Sequence, residues 1–71
     1  MEEIQSTTTA VYDFLCAYIA EHGYPPSQRE LAAGCYLSRP AIIRHLDRLE
    51  LQGKITRDPD KARSIRLQSG D

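Results

Sequence analysis

The chain has no tryptophan, one phenylalanine, one methionine and only two cysteines in 71 residues. Two cysteines are too few for the disulfide framework of a short secreted chain. Cys16 and Cys35 sit among apolar neighbours and are expected to be small buried thiols in a reducing cytoplasm. Neither has metal-ligand spacing to His22 or His45, so no metal and no cofactor are expected. No apolar run approaches the about 20 residues of a membrane span. The N-terminus, MEEIQSTTTA, lacks the basic start and apolar core of a signal peptide. No spacing of Ser, Tyr or His assembles a nucleophile, a base and an orienting group, and little chain is left to build a water-excluded cleft. An enzyme is therefore not expected.

What remains is enough for one small domain. The hydrophobic share is 41%, which argues against disorder. A chain this short buries only about 60% of its unfolded surface, so the core must be small and well ordered. The net charge of −1 hides an asymmetry. Residues 1–30 hold five acidic residues against Arg29, a balance of −4. Residues 31–71 hold eight basic residues against five acidic ones, a balance of +3. The positive charge lies where a polyanion would be met.

The first apolar period is Val11, Phe14, Leu15, Tyr18, Ile19 and His22, spaced by three and four on one helical face. Ser6 or a threonine of the run after it can cap this helix. Gly23 ends it in a left-handed stop, with His22 at its last turn as a cap or core-edge residue. Tyr24-Pro25-Pro26 is a stiff connector, since proline fixes its own backbone and pushes the preceding residue away from helix. Ser27 with Glu30 three residues on is a capping box. The short helix it opens runs to about Cys35, with Leu31, Ala32 and Cys35 inward and small Ala32 and Ala33 allowing a close crossing. Tyr36-Leu37 makes a turn. Ser38 caps a third helix, and Pro40 falls in its first turn, where its missing donor is harmless. Ile42, Leu46 and Leu49 give the buried stripe, and Gly53 stops the helix.

Lys54–Arg57 and Ser64–Leu67 alternate polar and apolar residues, as strands do. Asp58-Pro59-Asp60-Lys61 between them is good turn chemistry. A hairpin this small is not stable alone, so Ile55, Ile65 and Leu67 should pack on the helices. The expected fold is mainly α with a small β-hairpin: a winged helix-turn-helix of three helices plus a two-stranded wing. Residues 1–5 are expected to be a flexible N-terminus, 6–67 the domain, and 68–71 a tail or linker start.

In such a fold the second helix of the motif enters the DNA major groove. Arg39, Ala41, Ile43 and Arg44 lie off the Ile42–Leu46–Leu49 stripe and are the candidates for base edges. An arginine fork pairs bidentately with guanine, and an isoleucine can meet thymine methyl groups. Two alternatives stay open: Arg44 on a phosphate or solvated, and Ile43 partly buried under Leu46 or the wing. Ser38, at a helix N-terminus that favours anions, is a backbone candidate, as are His45 and Arg48. Lys61 and Arg63, at the wing tip, can reach the backbone or the minor groove, opposed by Asp58 and Asp60. Asp47 and Glu50 are expected to pair with neighbouring arginines.

Several runs resemble the N-terminal DNA-binding domain of the LexA repressor family. They are Val11-Tyr12-Asp13-Phe14-Leu15, Gly23-Tyr24-Pro25-Pro26-Ser27-Gln28-Arg29-Glu30-Leu31-Ala32, Ser38-Arg39-Pro40-Ala41 through His45-Leu46, Gly53-Lys54-Ile55 and Ser64-Ile65-Arg66-Leu67. The resemblance spans about residues 6–67. It implies a cytoplasmic, nucleoid-associated repressor domain that binds double-stranded operator DNA as a homodimer on a palindromic site. It also implies base contacts from the start of the third helix, carried here by Ser38, Ala41, Ile43 and Arg44. The family commonly has glycine where Tyr36 stands, and polar residues and glutamates where Ile43 and Arg44 stand. Its self-cleaving serine–lysine peptidase domain has no counterpart in these 71 residues. The competing reading is a protein-interaction winged helix with little DNA affinity, anchored by Ile43.

Overall fold

In the computed structural model, residues 2–58, 61 and 63–68 are described, with side chains from residue 7 onward. Three helices come first: α1 over Glu2–His22, α2 over Gln28–Cys35 and α3 over Arg39–Leu51. A hairpin follows, β1 over Ile55–Thr56 and β2 over Arg66–Leu67. The strands are antiparallel, with Ile55 opposite Leu67 and Thr56 opposite Arg66. This is the winged helix-turn-helix order. Pro59 and Asp60 of the expected turn, and residues 69–71 of the expected tail, lie outside the described residues. The Lys61 N–H donates to the Asp58 carbonyl at 3.1 Å, which closes the turn.

The start of α1 differs from expectation. The backbone is already helical at Glu2, so no residue of the Ser6–Thr9 run begins the helix. Thr8 has another role. It is buried at 1% exposure, and its Oγ1 is hydrogen-bonded to His45 Nδ1 of α3 at 2.9 Å. A hydroxyl buried between two helices needs such a partner.

The core is built where the periodicity places it. Val11 and Leu15 of α1, Leu31 and Ala32 of α2, and Ile42, Leu46 and Leu49 of α3 are buried, with Ile55 and Ile65 closing the wing side. Each fully buried aliphatic side chain of this set contributes about 1.5–3 kcal/mol. Phe14, Tyr12, Ile19, Cys35 and Leu37 pack around the edge. Leu67 is the exception among the wing residues. It lies at the open end of the hairpin and keeps 36% exposure, so the wing docks through Ile55 and Ile65. Cys16 and Cys35 are half-buried free thiols rather than fully buried ones, and burial pushes the Cys35 thiol up.

Local chemistry fixes the helix ends. Gly23 takes φ +80° and donates to the Ile19 carbonyl at 2.8 Å, so α1 ends in the left-handed stop that only glycine adopts freely. Both halves of the capping box form: Glu30 N–H donates to Ser27 Oγ at 3.1 Å, and Ser27 N–H donates to Glu30 Oε1 at 2.9 Å. At the end of α2, Tyr36 adopts φ 60°, ψ 40°, a left-handed conformation that β-carbon sterics disfavour. Its N–H and that of Leu37 satisfy the last carbonyls of α2, at 3.3 Å to Ala33 and 3.0 Å to Ala32.

The close crossing of α1 and α2 does not run through Ala33, which is exposed. Gly34 faces the Phe14 ring so closely that a β-carbon there would overlap it. Ala32 is buried as expected.

Candidate nucleic-acid interface

Ser38 sits in extended backbone (φ −74°, ψ 161°), and its Oγ accepts from the Ala41 N–H at 3.3 Å. With Pro40 in the first turn, this sets the start and direction of α3. The buried Ile42–Leu46–Leu49 stripe then fixes the rotation of the helix. At about 100° per residue, Arg44 points almost directly away from the core, with Arg39 and Ile43 on one side of it and Arg48 and Ala41 on the other.

The structure bears out that division. Arg39, Arg44 and Arg48 are exposed, and Ala41 is half-buried at the edge. Arg44 and Arg48 form no ion pair among the described residues. Arg39 Nη2 reaches Gln28 Oε1 of α2 at 3.5 Å, a long and easily exchanged bond. Ile43 keeps 37% exposure, so it is neither a core residue nor a free one. It lines an open groove with Gln28 and Arg29 of α2, Arg39 of α3, and Lys61 and Arg63 of the wing loop. The groove brings three segments of the chain to one side. Gln28 and Arg29 were not singled out from the sequence. Arg29 sits directly after Gln28 at the N-terminus of α2, is exposed, and has no ion-pair partner among the described residues. Its position inside the capping-box turn was the available signal.

Two expected backbone contacts are engaged elsewhere. The His45 ring is half-buried and turned toward α1, where Thr8 holds its Nδ1. Burial, and then the charge of Arg48, push its pKa down, which disfavours the charged ring. Its place beside Leu46, at the border of the buried stripe, is the reason. Arg63, expected to reach DNA from the wing tip, folds back instead. Its guanidinium grips Glu30 with two contacts at 2.8 Å, donates to the Pro25 carbonyl at 3.2 Å and lies 5.0 Å from the Tyr24 ring centroid. The Arg63 fork and the Ser27 N–H hold the Glu30 carboxyl down at about 2. The same carboxylate accepts from the Tyr18 hydroxyl of α1 at 3.2 Å. Lys61 is exposed beside this tie, unpaired among the described residues.

Asp47 and Glu50 are paired, as expected, but not by the arginines next to them on α3. Arg57, from just after β1, binds both: its Nη2 donates to Asp47 Oδ1 and its Nε to Glu50 Oε1 at 3.0 Å. At the C-terminal end of α1 the rings of Tyr18, His22 and Tyr24 cluster, with Tyr18 and His22 centroids 4.1 Å apart and Tyr24 edge-on to Tyr18. His22 itself is exposed.

Among the described residues there is no group of three or more His, Cys, Asp or Glu placed to hold a metal ion. Among the described residues no helix is long and apolar enough to cross a membrane.

Comparison with known proteins agrees with this architecture. The family model described as the LexA DNA binding domain matches residues 1–64. Among similar proteins, a LexA repressor of Koribacter versatilis is 45% identical over 58 residues, which cover 80% of this chain and 28% of that protein. A LexA repressor of Geobacter metallireducens is 40% identical over 94% of this chain and 34% of its own length. One from Brevibacillus brevis is 38% identical over 100% of this chain and 35% of its own. The chain thus spans about a third of the length of these relatives, at the part that carries the helix-turn-helix. Fold, helix caps and matched segment lead to one conclusion: the chain belongs to the LexA DNA binding domain family.

Proposed function

We propose that this domain binds double-stranded operator DNA sequence-specifically, as the DNA-binding part of a LexA-like transcriptional repressor in the bacterial cytoplasm and on the nucleoid. The observation that carries this reading is the outward face of α3. Arg39, Ile43 and Arg44 are exposed, with Arg44 opposite the fully buried Ile42–Leu46–Leu49 stripe and Ile43 and Arg39 flanking it. Placed in a major groove, Arg44 and Arg39 present forks to guanine, Ile43 meets thymine methyls, and Ala41 lets the helix sit deep. Ser38 and Arg48 lie toward the flanking phosphates, and Lys61 approaches them from the wing. We add Arg29, at the N-terminus of α2, to the backbone set. His45, held by Thr8, and Arg63, held by Glu30, support α3 and the wing rather than touching DNA.

A module with about three to six phosphate contacts has a salt slope near −3 to −5 on logarithmic scales, so one copy binds weakly. Two copies on a palindromic site, one helical turn apart, supply the missing affinity and specificity. The protein-interaction reading rests on Ile43 as a lone apolar anchor, and Ile43 lines a groove whose side chains are mostly charged, with Arg29, Arg39, Arg57, Lys61 and Arg63 against Glu50 and Asp58.

Selection from random duplex DNA at near-physiological salt tests the proposal. One enriched half-site, with preference relaxed at one base position on Arg44→Ala, is the expected result. Absence of any motif, with no binding even at low salt, overturns it.

A further inference from the structure

Asp47 stands on the outward face of α3 beside Arg44, and Glu50 at the edge of that face beside Ile43. At about 100° per residue, Asp47 falls between Ile43 and Arg44 around the helix, and Glu50 between Arg39 and Ile43. Both side chains are open to solvent, at 58% and 43% exposure. Bare, they would place two negative charges one to two turns along the surface that must approach phosphates. At contact distances, like-charge placement weakens association and slows encounter.

The wing answers this. Arg57 lies just beyond β1, ten residues from Asp47 and seven from Glu50 in sequence, and its guanidinium bridges the two carboxylates. The side chain is only 15% exposed, so it is laid against α3 rather than extended into solvent. A planar fork can satisfy two carboxylates at once; an ammonium cannot reproduce that geometry. Glu50 and Arg57 also line the groove that holds Ile43 and Arg39.

We propose that Arg57 is a positioning residue for DNA binding: by pairing with Asp47 and Glu50 it masks their charge on the readout face and holds the wing in register with α3. Arg57 itself makes no DNA contact in this scheme. The inference rests on the DNA-binding reading above.

The scheme has a signature that neither a phosphate contact nor a simple fold contact shares. Removing Arg57 uncovers two carboxylates; removing the carboxylates as well makes Arg57 dispensable. Arg57→Gln is expected to lower affinity for the selected half-site about tenfold at low salt, with the loss shrinking as salt screens the carboxylates. Asp47→Asn/Glu50→Gln in the same background is expected to restore affinity to within about twofold, with the wild-type half-site preference retained. Arg57→Lys, which keeps the charge but not the fork, falls between. Circular dichroism and thermal melts on every variant establish that the compared proteins are folded, since exposed ion pairs contribute only about 0–1 kcal/mol each.

If Arg57→Gln weakens binding and the two neutralised carboxylates fail to restore it, Arg57 acts on DNA directly and the proposal is wrong. If Asp47→Asn/Glu50→Gln alone changes the selected sequence, the carboxylates read bases and need no mask, which also overturns it. A wild-type domain that selects no DNA would defeat the DNA-binding reading instead, and the two failures are therefore distinct.

Discussion

Tyr36 offers a direct test of how the turn between α2 and α3 is held. It sits at φ 60°, ψ 40°, with 94% of its surface exposed. A left-handed backbone costs an L-residue about 1–2 kcal/mol, because the β-carbon crowds the following carbonyl. The ring returns little. With roughly 6% of its surface covered, a side chain that buries about 150–250 Å² when enclosed recovers only about 0.2–0.4 kcal/mol. Glycine removes the strain but adds freedom to the unfolded chain, worth about 0.5–1 kcal/mol. The backbone bonds that use this conformation, from the N–H groups of Tyr36 and Leu37, are kept. Tyr36→Gly is therefore expected to stabilise the domain by about 0.5 kcal/mol, a rise in Tm of about 2–4 °C for a chain of this size. Tyr36→Ala retains the β-carbon and the strain, so it should stay within about 0.5 kcal/mol of wild type. Urea denaturation monitored by circular dichroism compares the three proteins. If Tyr36→Gly is no more stable than Tyr36→Ala, strain at this turn is not the controlling quantity.

Three further outcomes are expected. Gly34→Ala, which in an open helix would stabilise by about 1 kcal/mol, should here destabilise by about 1–3 kcal/mol in denaturant titration, because the new methyl displaces the Phe14 ring; pairing it with Phe14→Leu should recover part of the loss. Glu30 has a folded pKa near 2 against an ordinary 4.5, so its stabilising contribution is complete above pH 4.5 and is lost as pH falls toward 2; melts across that window should steepen in wild type and flatten in Glu30→Gln. Arg44→Ala should reduce affinity for the selected half-site by about 1–3 kcal/mol and relax preference at one base position, measured by competition binding against single-base variants, whereas Lys61→Ala should weaken all sequences alike and lower the salt slope by about one.

The parts of this molecule that sequence made visible are those decided within a few residues. The capping box at Ser27 and Glu30, the Ser38 cap with Pro40 behind it, and the glycine stop at Gly23 are each set by groups one to four positions apart. The buried stripe of α3 follows from a single period. The site was less legible because its electrostatics are settled across the fold. Thr8 and His45 are 37 residues apart, and Arg63 and Glu30 are 33 apart. Charge and spacing give no sign that Arg63 folds back onto Glu30 or that His45 turns toward Thr8. The pairing of Arg57 with Asp47 and Glu50 likewise joins the wing to α3 across seven to ten residues of sequence. Gly34 carried no signal beyond being a glycine in a helix, since what it makes room for is a ring on another helix.

Glu30 has an outcome for variation that its half-exposed surface position would not suggest. One carboxylate closes the cap of α2, receives the Tyr18 hydroxyl of α1 and anchors the wing through Arg63. Aspartate is a methylene too short to serve all three, and glutamine loses the charge that Arg63 answers. The outward positions of α3, by contrast, bear few internal obligations. A library randomised at positions 39, 43 and 44 should yield many folded domains with shifted operator preference, while one randomised at position 30 should return glutamate. Descendants of this domain can thus drift in the DNA they recognise while the joint between α2 and the wing stays fixed.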